Sequence, residues 1–388
     1  PNGKFPRRVA KKLGFSKDLL SLWAGKMTLD FGLNIFGLFL PIFLYQELGS
    51  IHAVIAWWVS ISFGYFFLVP WTARVMNIIG LKTSLIIGVV LRIPYLLAFY
   101  KLPEDPVKYA ILSAFFLIAI RSFFWLPFQT DSAKFSSKKN RGKQFSVIWS
   151  AASFLSIIAP VIGGFVLDRW DFGTLALIAL FVCIFSLIPF AFLPTVKEEV
   201  TWTYKETFKY LVHPFNRRMV VAYMSDGAVT TINGLFWPLF IFSILDEQFK
   251  ALGLLTGAIL LLGLILRLFI GNLLDRIKKT KLVKIGTVLN SSAWLIKIAV
   301  GTAMQVFLSS LYHTLASIVL RTSIETLVYE KAADRGHYID EYTLIKEMAI
   351  HAGKVLSLIV IAILLVFFPL QAAFIVAAIL AWFVMLLK

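Results

Sequence analysis

The sequence predicts an all-α membrane protein with twelve transmembrane helices, arranged as two six-helix bundles. Three observations predict this fold class: the apolar composition, the number of long apolar segments, and a pattern that repeats between the two halves. Of the 388 residues, 59% are hydrophobic and 15% are charged. Soluble domains are roughly 45–50% apolar and about 25% charged. The composition therefore excludes a soluble or disordered chain, because only a bilayer accepts so much apolar surface.

Twelve segments are apolar over the roughly 20 residues that a membrane-spanning helix needs. The spans are predicted at residues 19–45, 51–73, 81–100, 107–130, 144–167, 172–194, 218–245, 250–273, 282–302, 304–329, 342–368 and 370–387. The chain then divides into an N-terminal arm (1–18), a first bundle (19–194), a linker (195–217) and a second bundle (218–388). The linker mixes aromatic and basic residues, which predicts a short helix lying on the membrane surface.

Lysine and arginine concentrate in alternate links and account for the net charge of +17. The basic links are the N-terminal arm and the segments near 74–82, 134–143, 197–218 and 276–284. Since basic links stay on the cytoplasmic side, both termini are predicted to be cytoplasmic. The basic surface then faces anionic lipid, so no nucleic acid is expected as a partner. We expect a monomeric, multi-pass protein of a prokaryotic inner or plasma membrane.

Two motifs recur at nearly constant offsets. The segment from Gly37 to Phe43, with Pro41 at its centre, recurs 197 positions later from Gly234 to Phe240. Asp131 followed by Arg141-Gly142 recurs 194 positions later as Glu325 followed by Arg335-Gly336. Such offsets predict two bundles related as internal repeats, with the binding site at their interface.

Two short motifs resemble those of the major facilitator superfamily. The segment Gly271-Asn-Leu-Leu-Asp275-Arg276-Ile-Lys-Lys is similar to the family's loop signature, although Asn77 replaces the expected Asp in the first-half copy. The segment Ala159-Pro160-Val-Ile-Gly163-Gly164 is similar to a signature of the family's drug/proton antiporters, with Ala in place of the first Gly. The resemblance implies that two bundles rock against each other and that spans one, four, seven and ten line a central cavity. It also implies gating roles, which we assign to Asp275, Arg276, Pro160, Gly163 and Gly164.

Polar residues recur at helical spacing on spans one, four, seven and ten. An intramembrane charge costs at least about 2.5–3.5 kcal/mol, so these residues are functional candidates. Substrate contacts are predicted for Lys26, Asn34, Arg121, Trp125, Gln129, Asn233, Trp237, His313 and Arg321. A carboxyl group in a low-dielectric cavity favours its protonated form, which predicts proton coupling by Asp30, Asp226 and Glu325. Alternatively, Lys26 with Asp30, and Arg321 with Glu325, simply neutralise each other one turn apart.

Other charges receive different interpretations. Glu347 shares a face of span eleven with His351 and Lys354, where these residues contact the mouth of the cavity or form a gate with Arg141. Arg92, Arg267 and Lys297 are not assigned to the cavity. Arg267 is expected to pair with an acid across the bundle, and Lys297 to snorkel or to face a neighbour.

The sequence predicts a secondary active transporter that moves a small organic solute, amphiphilic or anionic, by alternating access and with proton coupling. No phosphate-binding loop, zinc-ligand spacing or nucleophile elbow is present, so no enzyme activity, cofactor or metal is predicted. The surplus of cations on the polar stripes favours an anion. The alternatives are a multidrug/proton efflux antiporter, a lipid or glycolipid flippase of the same fold, and a structural or sensing protein that does not transport.

Overall fold

The computed structural model describes residues 15–135, 141–195, 201–274, 277–333 and 339–387. All of its regular elements are helical. The first half contains nine α-helices: α1 (Lys17–Gly37), α2 (Leu40–Leu48), α3 (Ile51–Ile79), α4 (Leu81–Val90), α5 (Arg92–Tyr100), α6 (Pro106–Phe135), α7 (Arg141–Arg169), α8 (Phe172–Phe185) and α9 (Leu187–Ala191). The linker and second half contain seven: α10 (Tyr204–Val212), α11 (Arg217–Ile244), α12 (Phe249–Leu274), α13 (Lys279–Ile298), α14 (Ala303–Ala333), α15 (Ile339–Leu364) and α16 (Ala372–Ala381).

Helices occupy all twelve of the predicted span positions. Within the described residues, nine helices are long and apolar enough to cross a membrane, or ten when α1 and α2 count as one span bent by 42°. The bend falls just before Pro41, the second residue of α2, and proline is well suited to the first turn of a helix. The helices at the other two predicted spans do not meet this standard. Helix α13 carries Lys281, Lys284 and Lys297 and is less apolar, and the last apolar helix is too short because it covers only Ala372–Leu386.

Helix ends follow local sequence signals. Ser16 begins α1 by accepting a hydrogen bond from the Leu19 amide at 3.0 Å. Asp171 begins α8 in the same way, with the Thr174 amide at 2.7 Å, and that amide holds the pKa of the Asp171 carboxyl below its ordinary range. Gly49 ends α2 with φ of +66°, a conformation that glycine adopts without steric cost.

The two halves meet mainly through two helix pairs, α7 with α12 and α3 with α15. Glycines let α7 and α12 approach closely, since a methyl group on Gly164 would lie 2.8 Å from the Phe249 carbonyl oxygen. Beside this crossing, Lys250 and Asp168 form an ion pair at 3.6 Å. We call the side of the molecule where α1 begins the basic end. The side with the Lys250–Asp168 ion pair is called the opposite end.

The linker helix α10 packs on protein at the basic end. Its Phe208 ring lies 5.6 Å from Phe66 on α3, and Trp202 stacks on Tyr210 at 4.2 Å. The Thr201 hydroxyl donates to Glu341 of α15 at 2.8 Å. The linker segment therefore contacts α3 and α15, one of the two helix pairs through which the halves meet.

Candidate functional site

A cavity of about 240 Å³ lies inside the first half. Helices α1, α3, α5 and α6 provide most of its wall, and α15 of the second half contributes Lys354. Its polar lining consists of Lys26, Asp30, Ser62, Arg92, Tyr95, Arg121 and Lys354, and its aromatic lining of Phe36, Trp57, Trp58, Phe124 and Trp125. Spans one and four thus line this cavity as expected, whereas its remaining wall comes from spans two, three and eleven rather than from seven and ten.

Lys26 and Asp30 form an ion pair one helical turn apart on α1. The Lys26 ammonium also lies over two rings, with its Nζ 5.1 Å from the centroid of Trp125 and 5.4 Å from that of Phe128. Lys26 is buried, while the Asp30 side chain is 37% exposed and lines the cavity. The pair therefore neutralises itself and still presents a carboxylate to the cavity.

Three further cations in the cavity have no acidic partner. Among the described residues, no carboxylate lies within ion-pair distance of Arg92, Arg121 or Lys354. The Arg92 guanidinium donates to the carbonyl of Gly88 and lies 4.5 Å from the centroid of Phe124. With Lys26 and Asp30 neutralising each other, the described lining carries a net charge of +3.

Two predicted polar residues of the first half lie outside the cavity lining. The Asn34 amide donates to the Ser156 hydroxyl on α7 at 3.3 Å. The Gln129 amide donates to Glu347 of α15 at 3.1 Å, which connects the two halves. Glu347 is buried at this contact. It was predicted at the mouth of the cavity or in a gate with Arg141, whose side chain lies outside the described residues.

In the second half, Arg321 of α14 binds Asp226 of α11. The ion pair measures 2.9 Å, and the guanidinium also donates to the Thr230 hydroxyl at 3.1 Å. A two-pronged guanidinium–carboxylate pair of this kind is charge-assisted and geometrically specific. The predicted partner of Arg321 was Glu325, whose side chain lies outside the described residues.

A second polar cluster surrounds Lys297, which was expected to snorkel or to face a neighbour. Its side chain is fully buried and faces neighbours, with Nζ 3.2 Å from Asn233 Oδ1 and 2.9 Å from His313 Nδ1. The rings of Trp237 and Trp294 flank the same atom at 4.1 and 4.2 Å. Three predicted substrate contacts, Asn233, Trp237 and His313, are therefore neighbours of Lys297 and do not line the described cavity.

The glycines of the α7 motif act as close-packing positions. A methyl group on Gly163 would collide with the carbonyl oxygen of Ile35 on α1, and Gly164 faces α12. Pro160 lies inside α7, and its carbonyl oxygen abuts Gly253. The other predicted gating residues cannot be placed, because Asp275, Arg276 and the side chain of Arg141 lie outside the described residues.

The sequence signals for Arg92 and Lys297 were weak because each stands ten or more residues from the other charge of its predicted span. Polar stripes on one helix face revealed the residues of spans one, four, seven and ten, but a single lysine or arginine has no period. Among the described residues there is no group of three or more His, Cys, Asp or Glu side chains able to hold a metal ion.

Comparisons with known proteins agree with this architecture. The family profile of the Major Facilitator Superfamily matches residues 22–346. Among solved structures, a peptide transporter of the POT family bound to sulfate is similar with a TM-score of 0.70 and 11% identity, covering 96% of this chain and 92% of that chain. A nucleoside transporter (TM-score 0.70, 14% identity, 95% and 98% covered) and a D-xylose–proton symporter (0.67, 14%, 94% and 97%) are also similar. No curated protein sequence matches this chain.

These comparisons confirm the predicted fold class and the family resemblance. The match to the family profile covers most of the chain, and the similar solved structures cover nearly all of it. The chain is a multi-pass integral membrane protein, and its family consists of transporters rather than enzymes. It belongs to the major facilitator superfamily.

Proposed function

We propose that this chain is a secondary active transporter for a small organic anion that has an apolar or aromatic portion. The observation that carries the proposal is a set of three cations, Arg92, Arg121 and Lys354, which share one cavity and have no carboxylate of the described residues within ion-pair distance. Membership of the family supports secondary transport of a small molecule by alternating access between two bundles. The anionic character of the solute rests on the cavity alone.

Electrostatics supports an anion because unpaired charges away from water are costly. A buried cation is tolerated when it is paired or hydrogen-bonded, and removal of its partner leaves a large penalty. A carboxylate or phosphate group is the complement of a guanidinium, which binds it through two parallel hydrogen bonds. The Trp58 and Trp125 rings in the same wall suit an apolar or flat remainder of the solute.

Proton coupling is the second part of the proposal. Asp30 faces the cavity while paired with Lys26, so protonation of Asp30 would free the ammonium to bind an anionic solute. Asp226, already bound to Arg321, and Glu325 are the candidates of the second half. One structurally similar protein is a D-xylose–proton symporter, which supports a proton as the coupling ion in this fold. We also propose that the basic end faces the cytoplasm, as the distribution of Lys and Arg predicts.

Ligand-induced stabilisation of the purified full-length protein in nanodiscs tests the solute class. The panel contains aliphatic and aromatic carboxylates and phosphate esters, each with its neutral amide and its amine analogue. We expect only anions to raise the unfolding temperature, because ligand binding to the folded state stabilises it. Hits are then tested for accumulation in proteoliposomes with an imposed pH gradient.

Two variants, one that removes a positive charge from the cavity and one that removes a positive charge elsewhere, test the anion proposal by comparison. Truncating one partner of a buried charge pair costs about 2–5 kcal/mol, so Arg121→Met should weaken binding of a hit by roughly 30-fold or more. Arg267→Met removes an exposed arginine of α12 that is not part of the cavity lining and should leave binding unchanged. Stabilisation by amines alone, or equal effects of the two variants, would contradict the anion proposal.

A drug/proton antiporter is the second candidate, favoured by the Pro160, Gly163 and Gly164 element of α7. That candidate predicts that hydrophobic amines stabilise the protein and that Asp30→Asn removes their proton-coupled efflux. A lipid or glycolipid flippase predicts transfer of headgroup-labelled lipid between leaflets, which a transporter of small anions does not catalyse.

A further inference from the structure

We propose that Lys297 and His313 together form a proton-binding site in the second half, and that this site contains no carboxylate. It lies apart from the cavity of the first half, and the proposal does not depend on which solute is transported. Its geometry is a single nitrogen–nitrogen contact of 2.9 Å between Lys297 Nζ and His313 Nδ1.

The contact requires one donor and one acceptor. An ammonium on Lys297 can donate only to an unprotonated His313 Nδ1, and a protonated Nδ1 can donate only to a neutral amine. A proton on both groups would place two positive charges 2.9 Å apart in a buried site. The pair therefore holds at most one extra proton, which resides on either nitrogen.

The groups around Lys297 and His313 favour reversible binding of the proton. Asn233 offers a neutral amide oxygen to Lys297 Nζ, and among the described residues no carboxylate bonds to it. The Trp237 and Trp294 rings stabilise a cation on their faces without fixing it as an ion pair would. An ammonium held only by neutral groups lies closer in free energy to its neutral form than one paired with an acid.

Charged and titratable groups on the neighbouring helices do not supply a counter-ion. On α14, Arg321 is committed to Asp226 of α11, and the Tyr312 hydroxyl is bonded to Ser292. The sequences of α16 and of the 3₁₀ helix Trp382–Leu387, both packed on α13, contain no titratable residue, and α12, which packs on α14, contributes only the cations Lys250 and Arg267. On the described part of α14, the other charged side chain is therefore the cation Arg321, whose charge is compensated by Asp226, so it adds no attraction for a proton.

Three helices meet at this pair: α13 provides Lys297, α14 provides His313 and α11 provides Asn233. A change in protonation would alter the bond between α13 and α14 and the contact of both with α11. Protonation forms one N–H bond and breaks one O–H bond of a hydronium ion, which leaves water, and deprotonation reverses both changes. The carboxylates Asp30 and Asp226 are both in ion pairs, so this pair adds a proton site of a different chemical kind.

Nuclear magnetic resonance of the full-length protein in nanodiscs, labelled with ¹⁵N in histidine and lysine, tests the proposal without a substrate. His313→Gln identifies the ring signals of His313, and the pH is varied between about 5 and 8, the range in which histidine ordinarily titrates. We expect the signals of His313 and Lys297 to move together with a single midpoint. Signals that stay constant across this range would show a structural contact only and would overturn the proposal.

Asn233→Asp supplies a second variant in which folding is expected to be retained, since the two side chains are nearly isosteric. A carboxylate 3.2 Å from Nζ would hold Lys297 in its charged form and abolish the joint titration in this range. His351→Gln is the matched control, because His351 is also buried in the second half but lies against Tyr65. A joint titration that survives Asn233→Asp, or that disappears in His351→Gln, would contradict the assignment.

Discussion

Replacement of Gly353 by alanine tests how tightly the second half is packed. Gly353 on α15 lies against the carbonyl oxygen of Met224 on α11, and Gly227 on α11 lies reciprocally against the carbonyl oxygen of Ile350. In both places an added methyl group would collide with backbone rather than with a flexible side chain. The two helices therefore cannot accept the methyl group without moving apart.

The expected loss in the free energy of unfolding follows from two opposing effects. Alanine favours a helix over glycine by about 1 kcal/mol, which on its own would stabilise the variant. Overpacking of a close contact costs about 1–3 kcal/mol. Because the added methyl group of Gly353→Ala would collide with a carbonyl oxygen, we expect a cost near the larger of these values. We expect a net destabilisation of roughly 1–2 kcal/mol, and the same direction for Gly227→Ala.

Reversible unfolding in mixed micelles, with a denaturing detergent as titrant, measures the change. Gly234→Ala is the matched control because Gly234 also lies on α11 and has no atom within 4 Å of the added methyl position. The free energy of unfolding of Gly234→Ala should be unchanged or slightly increased. Equal stabilities of Gly353→Ala and Gly234→Ala would refute the argument that backbone contact fixes the spacing of α11 and α15.

Three further predictions concern the opposite end and the single cysteine. Asp171→Ala should lose about 0.5–2 kcal/mol as the cap of α8. Because folding lowers the Asp171 pKa, the contribution of this carboxylate to stability is present at neutral pH and disappears as the pH falls through the acidic range. Asp171→Asn cannot titrate, so its free energy of unfolding should lack this pH dependence. Lys250→Met should change stability by less than about 1 kcal/mol, because its ion pair with Asp168 is nearly half exposed, and a larger loss of the unfolding midpoint would show that this pair secures the two halves. Cys183 is 1% exposed, so a maleimide reagent should label it only after unfolding, and rapid labelling of the folded protein would contradict its burial.

The fold could be predicted because its signals are periodic and long. Apolar segments of about 20 residues gave helices at every predicted span position, and the repeat containing Pro41 and Pro238 indicated two related halves. The interruption between α4 and α5 at Leu91 has a local signal, because Pro94 in the first turn of α5 has no N–H to donate to the Val90 carbonyl. The bend between α1 and α2 lies at Leu38 and Phe39, just before Pro41. In both places the apolar pattern alone predicted one uninterrupted span.

Individual site residues were predictable only where a helix face repeats a polar residue. Lys26 and Asp30, and then Arg121 and Trp125, recur at steps of four and do line one cavity. Lys297 carries no such repeat along α13, and its importance arises from partners on two other helices. Contacts between helices depend on rotation and depth of packing, which a single sequence pattern leaves open.

The two halves differ in how they neutralise their interior charges, although the sequence repeat relates them. In the second half, Arg321 has its own carboxylate and Lys297 has neutral acceptors. In the first half, no carboxylate of the described residues pairs with Arg92 or Arg121, although Arg92 donates to the Gly88 carbonyl, and Lys354 reaches into their cavity from α15. An anion bound there would contact cations of both halves at once, because Lys354 belongs to the bundle that must move relative to the other. The negative charge of the solute would then favour the arrangement in which the halves are closed around it, and release would require that attraction to be screened by water or replaced by an internal acid such as Asp30.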